Sequence, residues 1–130
     1  MTVFLDRDDV LVAAAAALGA VPGVADYGLL DSAVARPAST VFGLDAYPDL
    51  FTKAAALMQS IARNHALIDG NKRTAWAAAW TFLTVNGIEL APTYDIDAAE
   101  SFVIAVATGV EDSVDVIAEC LSVFAHNSKR

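Results

Sequence analysis

Residues 50–85 read LFTKAAALMQSIARNHALIDGNKRTAWAAAWTFLTV, two apolar segments joined by one short polar one. In the first, Leu50, Ala54, Leu57, Met58 and Ile61 recur at helical spacing, which predicts an amphipathic helix. Pro48 and Asp49 open it, since proline is tolerated and acids are favoured in a first turn. Continuing the stripe by four residues lands on His65, so the spacing points that side chain inward. Arg63 lies about 200° round the same helix and faces away. From Asn71 to Val85 the chain is apolar nearly all round, which predicts the central helix of the protein. Its alanines allow close approach, Trp76, Trp80 and Phe82 supply bulk, and Asn86-Gly87 stops it.

Outward from this pair the pattern stays helical. A helix is predicted from about Asp6 to Leu18, ending at Gly19, and a short one from the cap Asp26 to near Ala35, before Arg36-Pro37. Residues 39–47, with Gly43 among them, read as an irregular flap. Ile88 to Leu90 reads as a short strand pairing with Val3 to Leu5. Asp97 and Glu100 resemble an acidic capping box for a fifth helix that ends before Gly109. A last helix runs from about Ser113 to Ala125. The fold class is all-α, a compact bundle of about six helices with at most a small β element, and residues 1–130 form one domain.

Composition narrows the function. The hydrophobic share is 56%, yet the longest weakly polar run, from Arg73 to Glu89, is broken at Asn86 and falls short of the ~20 residues a membrane span needs. Asp6, Asp8 and Asp9 precede the apolar run Val10 to Ala20, where a secretory signal wants a basic region. With Cys120 as the lone cysteine, no intrachain disulfide forms; both features fit a cytoplasmic protein. The net charge of −8 opposes nucleic-acid binding. Of eight cations, Arg63, Lys72 and Arg73 cluster in one short stretch, a focal spot suited to a small anion. Cys120 and the Trp76/Trp80 pair read as core, and His126 as the end of the last helix. Arg36 reads as a loop anchor or a partner contact.

The polar stretch has two readings. Asp69-Gly70-Asn71 enters a helix, whose unpaired N–H groups hold phosphate-type anions well. Lys72 and Arg73 stand at the wrong end for the helix dipole unless an anion sits there. Asp69 is a hard-oxygen ligand for Mg²⁺, and His65 is the nearby group able to take a proton near neutral pH. In the plainer reading Asp69 caps the helix, Gly70 turns the chain and the two cations are solvated. The residues alone divide evenly between these.

His65-Ala-Leu-Ile-Asp-Gly-Asn-Lys-Arg73-Thr resembles the signature of the Fic/Doc family, His-Pro-Phe-x-Asp/Glu-Gly-Asn-Gly-Arg. Lys72 replaces the usual glycine and Trp76 the second arginine, which resembles the Doc branch of toxin–antitoxin toxins. Gly28 to Pro37, Asn86-Gly87 and Ala107 to Gly109 with Ser113-Val114 are also similar to Doc sequences. The resemblance implies a mostly helical fold and chemistry on ATP with Mg²⁺. It implies transfer of phosphate to a threonine of elongation factor Tu, blocking translation. Fic enzymes instead transfer AMP to a protein hydroxyl, and a catalytically degenerate partner-binding module is the remaining alternative. Carried over, His65 is the base, Asp69 holds Mg²⁺ or orients substrate, and Gly70, Asn71, Lys72 and Arg73 cradle phosphates. Lys72 is the residue that separates kinase from AMP transferase. Ala66 and Leu67 replace the motif's Pro and Phe, which predicts a looser loop and reduced activity. The internal inhibitory string Ser/Thr-x-x-x-Glu-Gly/Asn is absent, which under the resemblance implies a Phd-like antitoxin acting in trans.

Overall fold

A computed structural model describes residues 1–126. Helix α1 (Arg7–Leu18) starts at a reciprocal box in which Asp6 accepts from the Asp9 N–H and Asp9 accepts from the Asp6 N–H. It ends at Gly19 in the left-handed conformation. Asp26 caps α2 (Tyr27–Ala35) through the Leu29 N–H, and a 3₁₀ turn over Arg36–Ala38 follows. Each such cap satisfies donors that the helix itself leaves unpaired, worth about 1 kcal/mol.

Residues 39–47 are not irregular. They form a small antiparallel hairpin, β1 (Thr40–Val41) and β2 (Leu44–Asp45), with Thr40 opposite Asp45. The two-residue turn Phe42-Gly43 has φ of 52° and 79°, the positive-φ geometry that matches strand twist. The hairpin is pinned to the next helix by Lys53, only 3% exposed, whose amine donates to Asp45 and to the Tyr47 carbonyl.

Helix α3 (Leu50–Asn64) is capped reciprocally by Asp49 and Thr52, so Pro48 precedes the cap rather than entering the first turn. Helix α4 (Asn71–Val85) has the predicted bounds, and Asn86-Gly87 ends it. Helix α5 (Ile96–Thr108) is capped by Asp95, not by the pair Asp97 and Glu100; Asp95 accepts from the Ala98 N–H and Asp97 sits inside the first turn. Helix α6 (Val114–Val123) is capped by Ser113. The all-helical bundle is thus as predicted.

The central helix is α3, not α4. Every residue from Thr52 to Ala62 is buried, and α2, α4, α5 and α6 all pack on α3. Four alanines in α3 (Ala54, Ala55, Ala56 and Ala62) let neighbours approach from every side. Its buried polar groups are paired: Gln59 donates to the Asp112 carbonyl, and Ser60 accepts from Arg36. Helix α4 buries Thr74, Ala75, Ala78, Ala79, Trp80, Phe82 and Leu83 but exposes Lys72 and Arg73 in its first turn. Burying a side chain such as Phe82 contributes about 1.5–3 kcal/mol. Trp76 packs against Trp80, Tyr94 and the edge of Phe124, so the tryptophans belong to the core as predicted.

The strand predicted between Ile88–Leu90 and Val3–Leu5 does not form. Leu90 instead bridges Ala125, and the Ala91 N–H donates to the Phe124 carbonyl at 2.9 Å. The Asn86 side chain takes the strand's place: its amide accepts from the Val3 N–H and donates to the Val3 carbonyl, each at 2.8 Å. A side-chain amide carries one donor and one acceptor side by side, as a strand neighbour does. Among the described residues no helix is long and apolar enough to cross a membrane. Partial burial, with Glu111 and Glu119 adding negative charge, pushes the Cys120 thiol above its ordinary value, which keeps it protonated and unreactive.

Candidate active site

Helix α3 stops one residue before the histidine. His65 is its C-cap, in the left-handed conformation with φ 54° and ψ 40°. Extrapolating the buried stripe therefore fails: once the helix ends, His65 is exposed, and Ala66 and Leu67 take the buried positions. Histidine tolerates this backbone region better than most residues, but glycine is the usual choice at a helix C-terminus.

The loop that follows is tied on both sides, contrary to the looseness expected from Ala66 and Leu67. The Ala66 carbonyl accepts from the Ala25 and Asp26 N–H groups at 2.8 and 3.1 Å, and the Ile68 N–H donates to the Gly23 carbonyl at 2.9 Å. From the other side Asn71 clamps Leu67. Its Nδ2 donates to the Leu67 carbonyl at 3.0 Å and its Oδ1 accepts from the Leu67 N–H at 3.1 Å. Both polar atoms of Asn71 are thereby engaged in holding the loop. Asn71→Ala should destabilise the fold by about 1–3 kcal/mol, since two partly buried backbone groups lose their partners. Denaturant unfolding checks this; a loss below a few tenths of a kcal/mol would mean the clamp is idle.

Gly70 is the N-cap of α4, with φ 77°. The backbone favours glycine there, and a Cβ would also lie 2.5 Å from Leu18 Cδ1 of α1, so any larger residue makes that side chain give way. Asp69 does not cap the helix. It is exposed, and its Oδ1 accepts from the Gly70 N–H at 2.8 Å. No side chain caps the first turn of α4. The plainer reading of Asp69 as a helix cap is therefore excluded by geometry.

Lys72 and Arg73 lie in that uncapped first turn, exposed and without an ion-pair partner among the described residues. Among the described residues the ion pairs are Arg7–Asp31, Lys53–Asp45 and Arg63–Asp112. Cations at the positive end of a helix dipole cost about 0.3–1 kcal/mol each, and no ion pair among the described residues offsets it here. Both side chains line a cleft of about 430 Å³ whose apolar walls come from Trp76 and Tyr94 and from Ile96, Val103 and Ile104 of α5; Glu100 of α5 lines the same cleft but forms no ion pair with either cation. The walls come from residues far along the chain, and no sequence signal marks them. His65 and Asp69 are not among the residues lining this cleft. Arg63 turns to the α5–α6 junction, where it pairs with Asp112. Arg36 is a loop anchor: it donates to the Tyr47 hydroxyl, the Ala56 carbonyl, Gln59 and Ser60. His126 lies beyond α6 and its N–H donates to the Glu89 carbonyl.

An exposed histidine, a hydrogen-bonded loop and an uncapped helix start with two exposed cations thus follow one another within residues 65–73. The chain belongs to the Fic/DOC family, whose profile matches residues 4–83. It is 62% identical over 125 residues to Toxin Doc of Mycolicibacterium smegmatis, covering 96% of this chain and 95% of that protein. It is 33% identical over 103 residues to Protein kinase doc of Escherichia phage P1, covering 79% of this chain and 78% of that protein.

Proposed function

We propose that this chain is a cytoplasmic toxin of the Doc branch that transfers the γ-phosphate of ATP to a protein hydroxyl, a threonine of elongation factor Tu, and so blocks translation. One observation carries the reading: the first turn of α4 has no capping side chain, yet a few residues after an exposed histidine it holds two exposed cations that form no ion pair among the described residues. The names of the two relatives, a toxin and a protein kinase, support it.

In this reading the His65 imidazole takes the proton from the target hydroxyl. The hydroxyl oxygen forms a bond to the γ-phosphorus as the bond from that phosphorus to the ADP oxygen breaks. Lys72, Arg73 and the free N–H groups of α4 offset the charge on the phosphate oxygens. Asp69 would hold Mg²⁺, since its second carboxylate oxygen accepts no hydrogen bond from a described group. Bound there, Mg²⁺ supplies charge neutralisation for the phosphates. A Phd-like antitoxin acting in trans is the matching control.

Elongation factor Tu incubated with ATP labelled at the γ or the α position tests the reaction. Label should arrive from the γ position alone, and Lys72→Ala should lower transfer at least about a hundredfold, the usual effect of removing one preorganised charge donor. Label from the α position alone would replace the kinase with an AMP transferase. Label from neither, on this or any other translation factor, would leave the partner-binding module.

A further inference from the structure

We infer that Arg36 and Arg63 form a second oxyanion site, separate from the start of α4, that takes a free phosphate-type ion. They line a cleft of about 290 Å³ together with Gln59 and Asn64, and none of these four borders the cleft of Lys72 and Arg73. Arg36 is half-buried, and all its partners are neutral. Nε donates to the Tyr47 hydroxyl at 2.8 Å, and Nη1 donates to the Ala56 carbonyl, to Gln59 at 2.8 Å and to the Ser60 hydroxyl at 3.0 Å. No hydrogen bond to a described group uses Nη2. In a chain with sixteen acids and eight cations, a half-buried guanidinium that meets no carboxylate among the described residues is an unusual arrangement. Arginine stays charged at any ordinary pH, so the charge cannot be shed by titration, and reduced exposure to water strengthens its pull on an anion.

The second wall repeats the theme. Arg63 gives Nη1 to Asp112, which leaves part of its fork free, and Gln59 fixes the Asp112 carbonyl at 2.9 Å. The Gln59 side chain is only 8% exposed and bonds to Arg36 on one side and Asp112 on the other, so it sets the spacing of the two walls. Two guanidinium groups lining one polar cleft suit an anion with several oxygens better than a monatomic one. Asp112 acts as an internal competitor at the rim, because it occupies Arg63 when the cleft holds water. Asn64 directly precedes His65, so the cleft abuts the residue before the proposed base.

Titration of the ¹⁵N-labelled protein with inorganic phosphate, with chloride at matched ionic strength as control, tests the site. Saturable shifts should appear at the Nε–H signals of Arg36 and Arg63 and at the amides of residues 59–64. They should persist in the double variant Lys72→Ala/Arg73→Ala, which separates this site from the proposed reaction. Arg63→Gln should weaken phosphate binding about tenfold, as loss of one charge-assisted bond implies. Asp112→Asn should tighten it by removing the competitor. Arg36 itself holds the hairpin, so these exposed-side variants carry the test. The site is overturned if chloride reproduces the shifts. It is equally overturned if the double variant abolishes them, or if Arg63→Gln and Asp112→Asn leave the affinity unchanged.

Discussion

His65→Gly should abolish transfer while leaving the protein as stable as the parent. The imidazole is the proposed proton acceptor, and losing a positioned base lowers a rate by about 10²–10⁴. The backbone works the other way. At φ 54° a non-glycine residue carries strain, and glycine relieves about 1–2 kcal/mol of it. Greater freedom in the unfolded chain offsets about 0.4–1 kcal/mol of that gain. His65→Ala keeps the strain and loses the same chemistry. Transfer to elongation factor Tu, with denaturant unfolding on the same samples, separates the two effects. Activity within tenfold of the parent in either variant would sink His65 as the base. Loss of activity with stability unchanged would show a strained C-cap kept for function, the pattern expected where strain gathers at active sites.

The second large effect falls on Gly70→Ala. Alanine at φ 77° costs about 1–2 kcal/mol. Its methyl would also press on Leu18, with Cδ1 at 2.5 Å and Cδ2 at 2.7 Å, and overpacking of this kind costs about 1–3 kcal/mol. The sum is about 2–5 kcal/mol if Leu18 stays in place, and it falls to the backbone cost alone if that half-exposed side chain turns aside. Gly19→Ala is the matched control. Its φ is 86°, yet nothing lies within 4 Å of the added carbon, so only the backbone term applies. Thermal unfolding should place Gly70→Ala well below Gly19→Ala. Equal losses would show that Leu18 simply moves aside and that the close approach of the two helices is not what demands glycine.

Most of the fold was legible from the residues. Gly19, Asp26, Asn86-Gly87 and Gly109 act on the backbone within three or four positions, so the helix ends they mark agree with the structure. The errors have a common form. Asp97 with Glu100 looked like a cap, but Asp95 stands two residues earlier and reaches the Ala98 N–H. The short strand at Leu90 exists only as a bridge to Ala125, because Asn86 already serves the backbone of Val3. The hairpin at 40–45 was missed because its strands are two residues each, too short for any alternation to register. The candidate site was legible as a list of residues but not as an arrangement. Nothing in the letters said that the Asn71 side chain would turn back onto Leu67, or that Asp69 would leave α4 uncapped.

By itself the sequence determined what is local: six helices, their caps, and a polar loop carrying a histidine, an acid and two cations between two apolar segments. Tertiary structure alone decided that α3 rather than α4 lies at the centre, because burial depends on how many neighbours pack on a helix and not on its own apolar content. It also decided that His65 faces solvent. The stripe that pointed it inward requires an unbroken helix, and the chain turns left-handed at that residue so that Ala66 and Leu67 can fill the space and bond to residues 23–26.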